Sequence, residues 1–453
     1  MNNKNILPAL FALLMMGSLC SCKKYLDKKS NTSLVTPSTL RDLQGILDNL
    51  PEMNLQTPAF GEASADDYFL LPATYDAQAL LQQKAYTWSV DLYNHPNDWG
   101  YSYNTVFDAN FCLEQVAKVE RTEQNKQAWD NVKGSALFYR GYSFLNLAWV
   151  FAKSYDEANS PNDAGIVLRL GSDFNQPSKR ATVKETYDQV TSDINAAWPL
   201  LPDLPQHVVR PSKAAAYALL ARVWLSMQRY DSAYKYADLA LQLKHDLLDY
   251  NNTSEITASS TAPFKPFNVE VLFYTTMSNG FSVKTPGTAL IDSLLFNSYH
   301  NNDKRKTIFF RTSGLYRRFK GSYASSSTTL FTGIAVDELY LVRAECLARL
   351  GRVPEAMTDL NSLLEKRWAT GTFVPFTAGS QSAAIALILE ERRKELLMRG
   401  LRWPDIKRYN AAGAQIVPTR VVGRDTFRLQ PNERRYALPL PSDIIQLTGM
   451  EQN

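Results

Sequence analysis

Apolar residues recur at three-and-four spacing along the segment 212–245, and a short polar break at 228–231 divides this segment in two. The spacing predicts a pair of amphipathic helices. The small side chains of Ala221, Ala233 and Ala240 would let two antiparallel helices approach closely, as a tetratricopeptide-type hairpin requires. The alternative is an ordinary amphipathic hairpin in which the alanines match by chance.

The same pattern returns in the segment 336–368, with its break at 351–354, and a partial third copy lies at 137–144. Recurrence of one helical unit is typical of repeat proteins, which usually present an extended surface to a partner or ligand. We therefore predict a mainly α fold of tetratricopeptide-like helical hairpins, arranged as an α-α superhelix.

Further helices are indicated outside these copies, and Thr182 is a candidate N-cap for one of them. Apolar stripes predict helices at 36–50, 99–119, 125–151, 182–198 and 382–399. The stretch 152–180 between two of them is rich in Asn, Pro, Asp and Gly. This composition indicates a surface insertion into the repeats.

The stretch 249–331 differs in composition from the rest of the chain. Ser, Thr, Asn and Pro become more frequent, helical periodicity fades, and alternation at 269–274 predicts short strands. Aromatic residues are dense in the same stretch. Long excursions of this kind in a helical protein often carry function. We therefore expect ligand contacts in this loop-rich, short-strand excursion.

The first residues have the pattern of a secretory signal peptide, with Lys4, an apolar run at 6–16 and small residues around two cysteines. The run is too short to span a bilayer comfortably. The residues before Cys22 fit a bacterial lipobox, so Cys22 is the expected lipidated residue. The alternative is an ordinary cleaved signal with incidental cysteines. Cys112 and Cys346 lie in apolar helical contexts and are expected core residues.

No catalytic or metal-binding constellation emerges from the residues. The net charge is +4 over 453 residues, and no basic run indicates nucleic-acid binding. The four histidines lack metal-ligand spacing. Phosphate-binding glycine loops and nucleophile elbows are missing as well. We expect a protein that is not an enzyme and uses neither cofactor nor metal.

Two acidic groups nevertheless need an interpretation. Glu390, Glu391 and Glu395 lie among arginines on one predicted helix, which favours ion pairing over acid–base chemistry. Asp66 and Asp67 could bind a cation, but we favour a cap or turn role for them in a loop at 61–68.

Several segments become recognisable when they are taken together: CKKYLD at 22–27, RATV at 180–183, EERRKEL at 390–396, GLRWPDIKR at 400–408 and ALPLP at 437–441. As a set, they resemble the SusD/RagB family over essentially the whole chain. The resemblance implies a nutrient-binding outer-membrane lipoprotein on tetratricopeptide-like helices. It also implies a partner, a TonB-dependent transporter of the SusC kind, over which the lipoprotein acts as a lid.

The patterns and the resemblance divide the chain into five parts. These are a signal peptide (1–21), a lipid-anchored tether (22–35), an N-terminal helical region with repeat hairpins (36–248), the loop-rich excursion as candidate ligand region (249–335) and a C-terminal helical region packed on the repeats (336–453). In the last part, Arg402, Trp403 and Asp405 could form a ligand site, but we expect them to fasten the last helix to the repeats.

An oligosaccharide site needs flat aromatic rings bordered by hydrogen-bonding side chains, because a sugar ring presents apolar C–H faces surrounded by hydroxyls. Two segments combine both kinds of residue. The candidate ligand-binding residues are Trp88, Tyr93, His95, Tyr299, His300, Asn301 and Tyr316. For each aromatic residue, packing in the core or anchoring of a loop is the alternative role.

The expected function is that of a non-enzymatic receptor, lipid-anchored to the outer membrane at the cell surface. It would capture an oligosaccharide and deliver it to the SusC-like transporter. Three alternatives stay open: a RagB-like receptor for peptides, a repeat adaptor that assembles proteins in the cell envelope, and a glycan-cleaving enzyme on a helical scaffold.

Overall fold

The chain folds mainly into α-helices over residues 37–453, which is the part that the computed structural model describes. In chain order, the helices of this part are α1 (Leu40–Leu47), α2 (Leu50–Met53), α3 (Phe60–Ser64), α4 (Pro72–Asp76), α5 (Leu80–Tyr86), α6 (Asp98–Val116), α7 (Lys126–Phe151), α8 (Val183–Ala197), α9 (Lys213–Ser226), α10 (Tyr230–Leu243), α11 (Ser293–Ser298), α12 (Arg305–Ile308), α13 (Val336–Arg349), α14 (Val353–Glu365), α15 (Gln381–Glu395), α16 (Arg402–Ala411) and α17 (Ser442–Thr448). The mainly α prediction is confirmed.

Helices α9 and α10 form the first hairpin predicted by the alanine pattern. Ser212 caps α9, because its hydroxyl accepts a hydrogen bond from the Ala215 N–H at 3.2 Å. Ala221, Ala233 and Ala240 are fully buried. Small side chains therefore allow the close helix contact that a tetratricopeptide-like hairpin needs.

Helices α13 and α14 form the second hairpin, and α13 also packs against α10 of the first. Gly351 lies in the break between α13 and α14 with a φ of +79°, a left-handed conformation that favours glycine. Arg343 of α13 pairs with Asp359 of α14 and with Asp238 of α10, each at 2.7 Å. One arginine thus connects three helices of the two repeats.

The N-terminal helices are joined by buried polar contacts. The Arg140 guanidinium of α7 pairs with Asp193 of α8 at 2.6 Å and donates to the Asn110 side chain of α6 at 2.8 Å. The predicted cap of α8 is confirmed as a capping box between Thr182 and Glu185.

Ten short strands pair into five two-stranded antiparallel ribbons in the described residues. The strands are β1 (Tyr68–Phe69), β2 (Ala164–Val167), β3 (Arg180–Thr182), β4 (Val271–Phe273), β5 (Leu290–Ile291), β6 (Phe310–Ser313), β7 (Tyr316–Phe319), β8 (Ile334–Ala335), β9 (Thr419–Val422) and β10 (Asp425–Arg428). The pairs are β1–β5, β2–β3, β4–β8, β6–β7 and β9–β10. The strand predicted within 269–274 is confirmed as β4.

The excursion contains more regular structure and more core than its composition suggests. It includes α11 and α12 besides its strands. Its aromatic residues pack on one another: the Phe264 ring lies 4.7 Å from Tyr323 and 5.4 Å from Tyr250, centroid to centroid. Most aromatic rings of the excursion therefore stabilise the fold.

The acidic and basic residues of α15 form a buried ion-pair network with distant segments. Arg305 pairs with Glu391 at 2.6 Å and with Glu395 at 2.9 Å. Arg367 pairs with Glu395 and with Glu270, both at 2.7 Å. The predicted preference for ion pairing is confirmed, and the network joins the excursion to the C-terminal helices.

The segment 61–68 differs from its prediction as a loop, because Phe60–Ser64 forms α3. Asp66 pairs with Arg402 at 2.6 Å, and Asp67 pairs with Arg393 at 2.8 Å. These carboxylates therefore hold α15 and α16 against the N-terminal region, which replaces the predicted turn role.

Trp403 is fully buried, and Asp405 pairs with Arg392 and Arg408. Arg408, held by Asp405, pairs with Glu345 of α13 at 2.7 Å, so Asp405 helps to fasten α16 to the second repeat. Arg402 instead joins α16 to Asp66 of the N-terminal region. Cys112 and Cys346 are buried free thiols. Cys22, the signal peptide and the tether lie outside the described residues. Among residues 37–453, no helix is long and apolar enough to cross a bilayer.

Candidate ligand-binding site

Two aromatic candidates of the first segment are buried anchors. The Trp88 indole N–H donates to the Ser64 carbonyl at 2.9 Å, and the Tyr93 hydroxyl donates to the Pro439 carbonyl at 2.9 Å. Their exposed fractions are 4% and 6%, so neither ring offers a free face for stacking. His95 is exposed, at the start of a cis peptide bond to Pro96.

The candidates of the second segment have mixed surroundings. Tyr299 is 1% exposed, and its hydroxyl donates to the Lys394 carbonyl at 2.7 Å. The exposed His300 ring stacks on Trp368 with the centroids 4.7 Å apart, while Asn301 is exposed and accepts from Lys306 at 3.0 Å. Tyr299 thus belongs to the core, whereas His300 and Asn301 lie at the surface.

The structure does not bring all seven candidates together. Within residues 37–453, no hydrogen bond or ring contact links Trp88, Tyr93 or His95 to the candidates of the second segment. Among the tryptophan and tyrosine candidates, Trp88, Tyr93 and Tyr299 are buried, whereas the side chain of Tyr316 is partly exposed. It lies on the β6–β7 hairpin, which therefore is the centre of the candidate site.

The register of this hairpin determines which side chains share a face with Tyr316. Phe310 pairs with Phe319, and both are buried. Residues alternate between faces along a strand, and cross-strand partners share one. The other face therefore carries two neighbouring pairs: Arg311 with Arg318 and Ser313 with Tyr316. We call these four residues the hairpin face.

Contacts with neighbouring segments hold the hairpin face in place. The Tyr316 ring meets Phe69 of β1 edge to face, with the centroids 5.2 Å apart. The Arg318 guanidinium donates to the Gly287 carbonyl at 2.5 Å and to the Ser313 hydroxyl at 3.0 Å. A partly exposed aromatic ring thus lies beside guanidinium and hydroxyl groups on a fixed support.

Exposed leucines occur on the same elements. Leu315, in the turn of the hairpin, is 90% exposed, and Leu294 of α11 is 81% exposed. Helix α11 and strand β7 are in contact. The surface near the hairpin therefore carries apolar as well as polar side chains.

Two grooves elsewhere fit an oligosaccharide less well. One, of about 200 Å³, is lined by Trp88, Arg434, Arg435 and Asn453 among others. It is smaller than typical ligand pockets of about 300–1,000 Å³. The indole N–H of its tryptophan is already engaged with the Ser64 carbonyl. An open groove of about 570 Å³ beside α8 is lined mainly by charged and polar residues, with Leu168 and Ala181, but by no aromatic ring of the described chain.

Tyr316 was among the residues predicted from the sequence, whereas its neighbours Phe69, Arg311 and Arg318 were not. The two arginines could have been predicted from the turn of the hairpin. Gly314 has a φ of +59°, and a two-residue connection at Gly314 and Leu315 sets the strand register that places Arg311 and Arg318 on the face of Tyr316. Phe69 could not be found in this way, because its contact with Tyr316 joins residues that are far apart in the chain.

Comparison with known proteins decides the family. A family model described as "Starch-binding associating with outer membrane" matches residues 24–225, and a model described as "SusD family" matches residues 249–453. The chain belongs to the SusD/RagB family. SusD-like protein P2 of Formosa agariphila is similar at 23% identity, with 78% of this chain and 79% of the relative covered.

Solved structures share the fold of this SusD/RagB protein. A SusD superfamily protein from Bacteroides thetaiotaomicron is similar with a TM-score of 0.73 and 20% identity, and the match covers 92% of this chain and 99% of that one. A laminarin-binding SusD-like protein is similar with a TM-score of 0.66 and 17% identity, covering 91% and 97% of the two chains.

The described residues of this SusD/RagB protein show no group of three or more His, Cys, Asp or Glu residues that could hold a metal ion. Glu391 and Glu395 are engaged in buried ion pairs. Burial raises the pKa of Glu62 to about 8, but this carboxyl is 1% exposed and lines an enclosed cavity of about 20 Å³, the size of a single water.

Proposed function

We propose that this protein is an outer-membrane lipoprotein that binds an oligosaccharide and delivers it to a SusC-like TonB-dependent transporter. The observation that carries the proposal is the partly exposed Tyr316 ring, which is supported by Phe69 and bordered by Arg311, Ser313 and Arg318. An aromatic ring stacks on the apolar C–H face of a sugar, while guanidinium and hydroxyl groups bind its oxygen atoms.

Preorganisation of the hairpin face favours such binding. The buried side chains of Phe310 and Phe319 anchor the opposite face of the hairpin in the core, and the Tyr316 ring packs against Phe69 of β1. A side chain that is already fixed loses less conformational entropy when a ligand is bound.

The family supports the cellular part of the proposal. The model that matches residues 24–225 is described as associating with the outer membrane. Lipid on Cys22 would attach the mature protein, and residues 22–35 would act as the tether to the compact unit Thr39–Asn453. One acyl chain binds a membrane only marginally, so stable attachment requires more than one. The tether would let the protein swing over the transporter barrel.

Affinity electrophoresis tests the ligand class. The chain from Lys23 to Asn453 is run through native gels that contain single polysaccharides, and a peptide panel is tested in parallel by calorimetry. We expect retardation by at least one polysaccharide and no heat of binding with peptides. Binding of peptides alone would establish the RagB-like alternative, and absence of both would contradict the receptor function.

Protease treatment of intact cells tests the location. A lipoprotein on the outer face is removed by an added protease, whereas a periplasmic adaptor survives. Copurification from detergent-solubilised membranes tests the partner, because the proposal expects a TonB-dependent transporter in stable association. Survival of the protein in intact cells, with no transporter recovered, would favour the adaptor alternative.

A further inference from the structure

The hairpin face carries an uncompensated positive charge. Seven basic residues and no acidic one lie between Lys304 and Val336. Four of the seven lie on or next to the hairpin: Arg311, Arg317, Arg318 and Lys320. In the described chain, no carboxylate lies within 4 Å of any of these four. The arginines of the repeats and of the buried network, in contrast, pair with carboxylates.

The strand register places two of these charges directly opposite each other. Arg311 is the cross-strand partner of Arg318. Like charges in this arrangement repel and destabilise a hairpin. Burial lowers the pKa of Arg318, and the neighbouring charge of Arg311 lowers it further. Burial also lowers the pKa of Lys320, and the charge of Arg311 adds to that effect. The fold therefore tolerates an electrostatic cost at this face.

The Arg311 guanidinium keeps most of its donors available. Arg311 is exposed, and its one side-chain hydrogen bond in residues 37–453 is a long one, 3.3 Å to the Pro286 carbonyl. A guanidinium has five N–H donors. Arg318 uses its donors on Ser313 and on the carbonyls of Gly287 and Ala289. Arg311 is thus free to bind an anion, and Arg318 adds a fixed charge beside it.

We propose that the hairpin face binds an acidic oligosaccharide, with a carboxylate or sulfate ester on Arg311 and Arg318 and a sugar ring on Tyr316. Guanidinium groups bind such planar or tetrahedral oxyanions through paired, charge-assisted hydrogen bonds. Tyr316 and Arg318 are two residues apart on one strand face, about 7 Å. One charged sugar unit can therefore contact both. This inference rests on the proposed glycan-binding function and specifies its substrate class.

The test compares acidic oligosaccharides with their neutral counterparts. Calorimetry of the Lys23–Asn453 protein uses oligogalacturonate against its methyl ester, and a sulfated galactan oligosaccharide against its desulfated form. We expect at least one acidic member to bind about tenfold or more tightly than its neutral counterpart, with an affinity that falls as salt is raised. The two pairs distinguish a carboxylate from a sulfate ligand.

Substitutions locate the anion site. Arg311→Gln, alone and with Arg318→Gln, is expected to weaken binding of the acidic ligand about tenfold or more and that of the neutral ligand much less, because only the acidic ligand loses a charge-assisted pair. Arg311→Lys keeps the charge and should restore part of the affinity. Arg424→Gln is the matched control, because Arg424 is exposed in the turn between β9 and β10. Thermal unfolding checks that each variant folds.

The possible failures are distinguishable. Equal affinity for the acidic and neutral members would overturn the inference and leave the receptor function intact. The same holds if Arg311→Gln leaves the affinity for the acidic ligand unchanged. Absence of binding to every oligosaccharide would overturn the proposed function itself. Equal binding to vesicles that contain an anionic lipid would show a general attraction to negative surfaces and would also contradict the inference.

Discussion

At the scale of single residues, Tyr299 and Tyr316 have opposite surroundings although both come from the same stretch of sequence. Tyr299 is buried and hydrogen-bonded, and its ring packs 5.1 Å from Phe310, whereas Tyr316 is half-buried. We expect Tyr299→Ala to lower the free energy of unfolding by about 3–5 kcal/mol, since it leaves a cavity. Tyr316→Ala should cost about 1 kcal/mol or less. Urea denaturation of both variants measures the two losses of stability. Equal losses would contradict a buried Tyr299 and a half-buried Tyr316.

Glu62 makes the stability depend on pH. Burial and the charge of the nearby Asp67 together raise its pKa to about 8, against the opposing effects of the Gly400 N–H and Lys284. The folded pKa lies above the ordinary value of 4.5. The stabilising contribution of the neutral Glu62 carboxyl is therefore fully present below about pH 4.5 and is lost as the pH rises through about 8.

Glu62→Gln should remove this dependence, because a neutral amide replaces the carboxyl. From pH 5 to pH 9, the free energy of unfolding of the variant should rise relative to that of the wild type by a few kcal/mol, since one pKa unit corresponds to about 1.4 kcal/mol. Denaturant titrations across this pH range measure the difference. A difference that stays constant with pH would show that the Glu62 carboxyl has an ordinary pKa.

The sequence showed the aromatic content of the excursion but could not show which rings are buried. Tyr299, Tyr316 and Phe319 lie in similar local contexts rich in aromatic and basic residues. Their burial depends on partners such as Lys394 and Phe69, which are distant in the chain. Periodicity carries this information for long helices, whereas four-residue strands and single-turn helices are too short for it.

At the scale of elements, the α9–α10 hairpin depends on small side chains at its interface. Ala221 is fully buried. We expect Ala221→Trp to prevent folding, because an indole at this position would force the helices apart, and overpacking by even a few methylenes already costs about 1–3 kcal/mol. Lys235→Trp on the exposed side of α10 is the control. Circular dichroism and thermal unfolding compare the two, and a normally folded Ala221→Trp protein would refute close packing.

Elements with local signals were predictable, and those with distant partners were not. The capping box of Thr182 and Glu185 lies within four consecutive residues, so the start of α8 is visible in the sequence. Helix α3 was missed because its first N–H groups, those of Ala59 and Phe60, are capped by the carboxylate of Asp98 at 2.7 and 2.8 Å. Tertiary structure supplies that cap.

At the scale of the whole molecule, the buried network around Arg367 joins segments that are far apart in the chain. We expect Arg367→Met to destabilise the protein by about 3–5 kcal/mol, since it leaves Glu270 and Glu395 buried without their common partner. Lys184→Met removes the exposed pair with Asp188 and should leave the stability nearly unchanged. Chemical denaturation of both variants measures the contrast, and similar effects would argue against a structural role for the network.

The most direct test of the account is calorimetric titration of the protein with the oligosaccharide that electrophoresis identifies. We predict a saturable 1:1 isotherm for the wild type. Tyr316→Ala should weaken the affinity about tenfold or more through lost stacking, while Tyr236→Ala, which removes a half-buried ring from α10, should not. An affinity that is unchanged in Tyr316→Ala would show that the hairpin face is not the binding site.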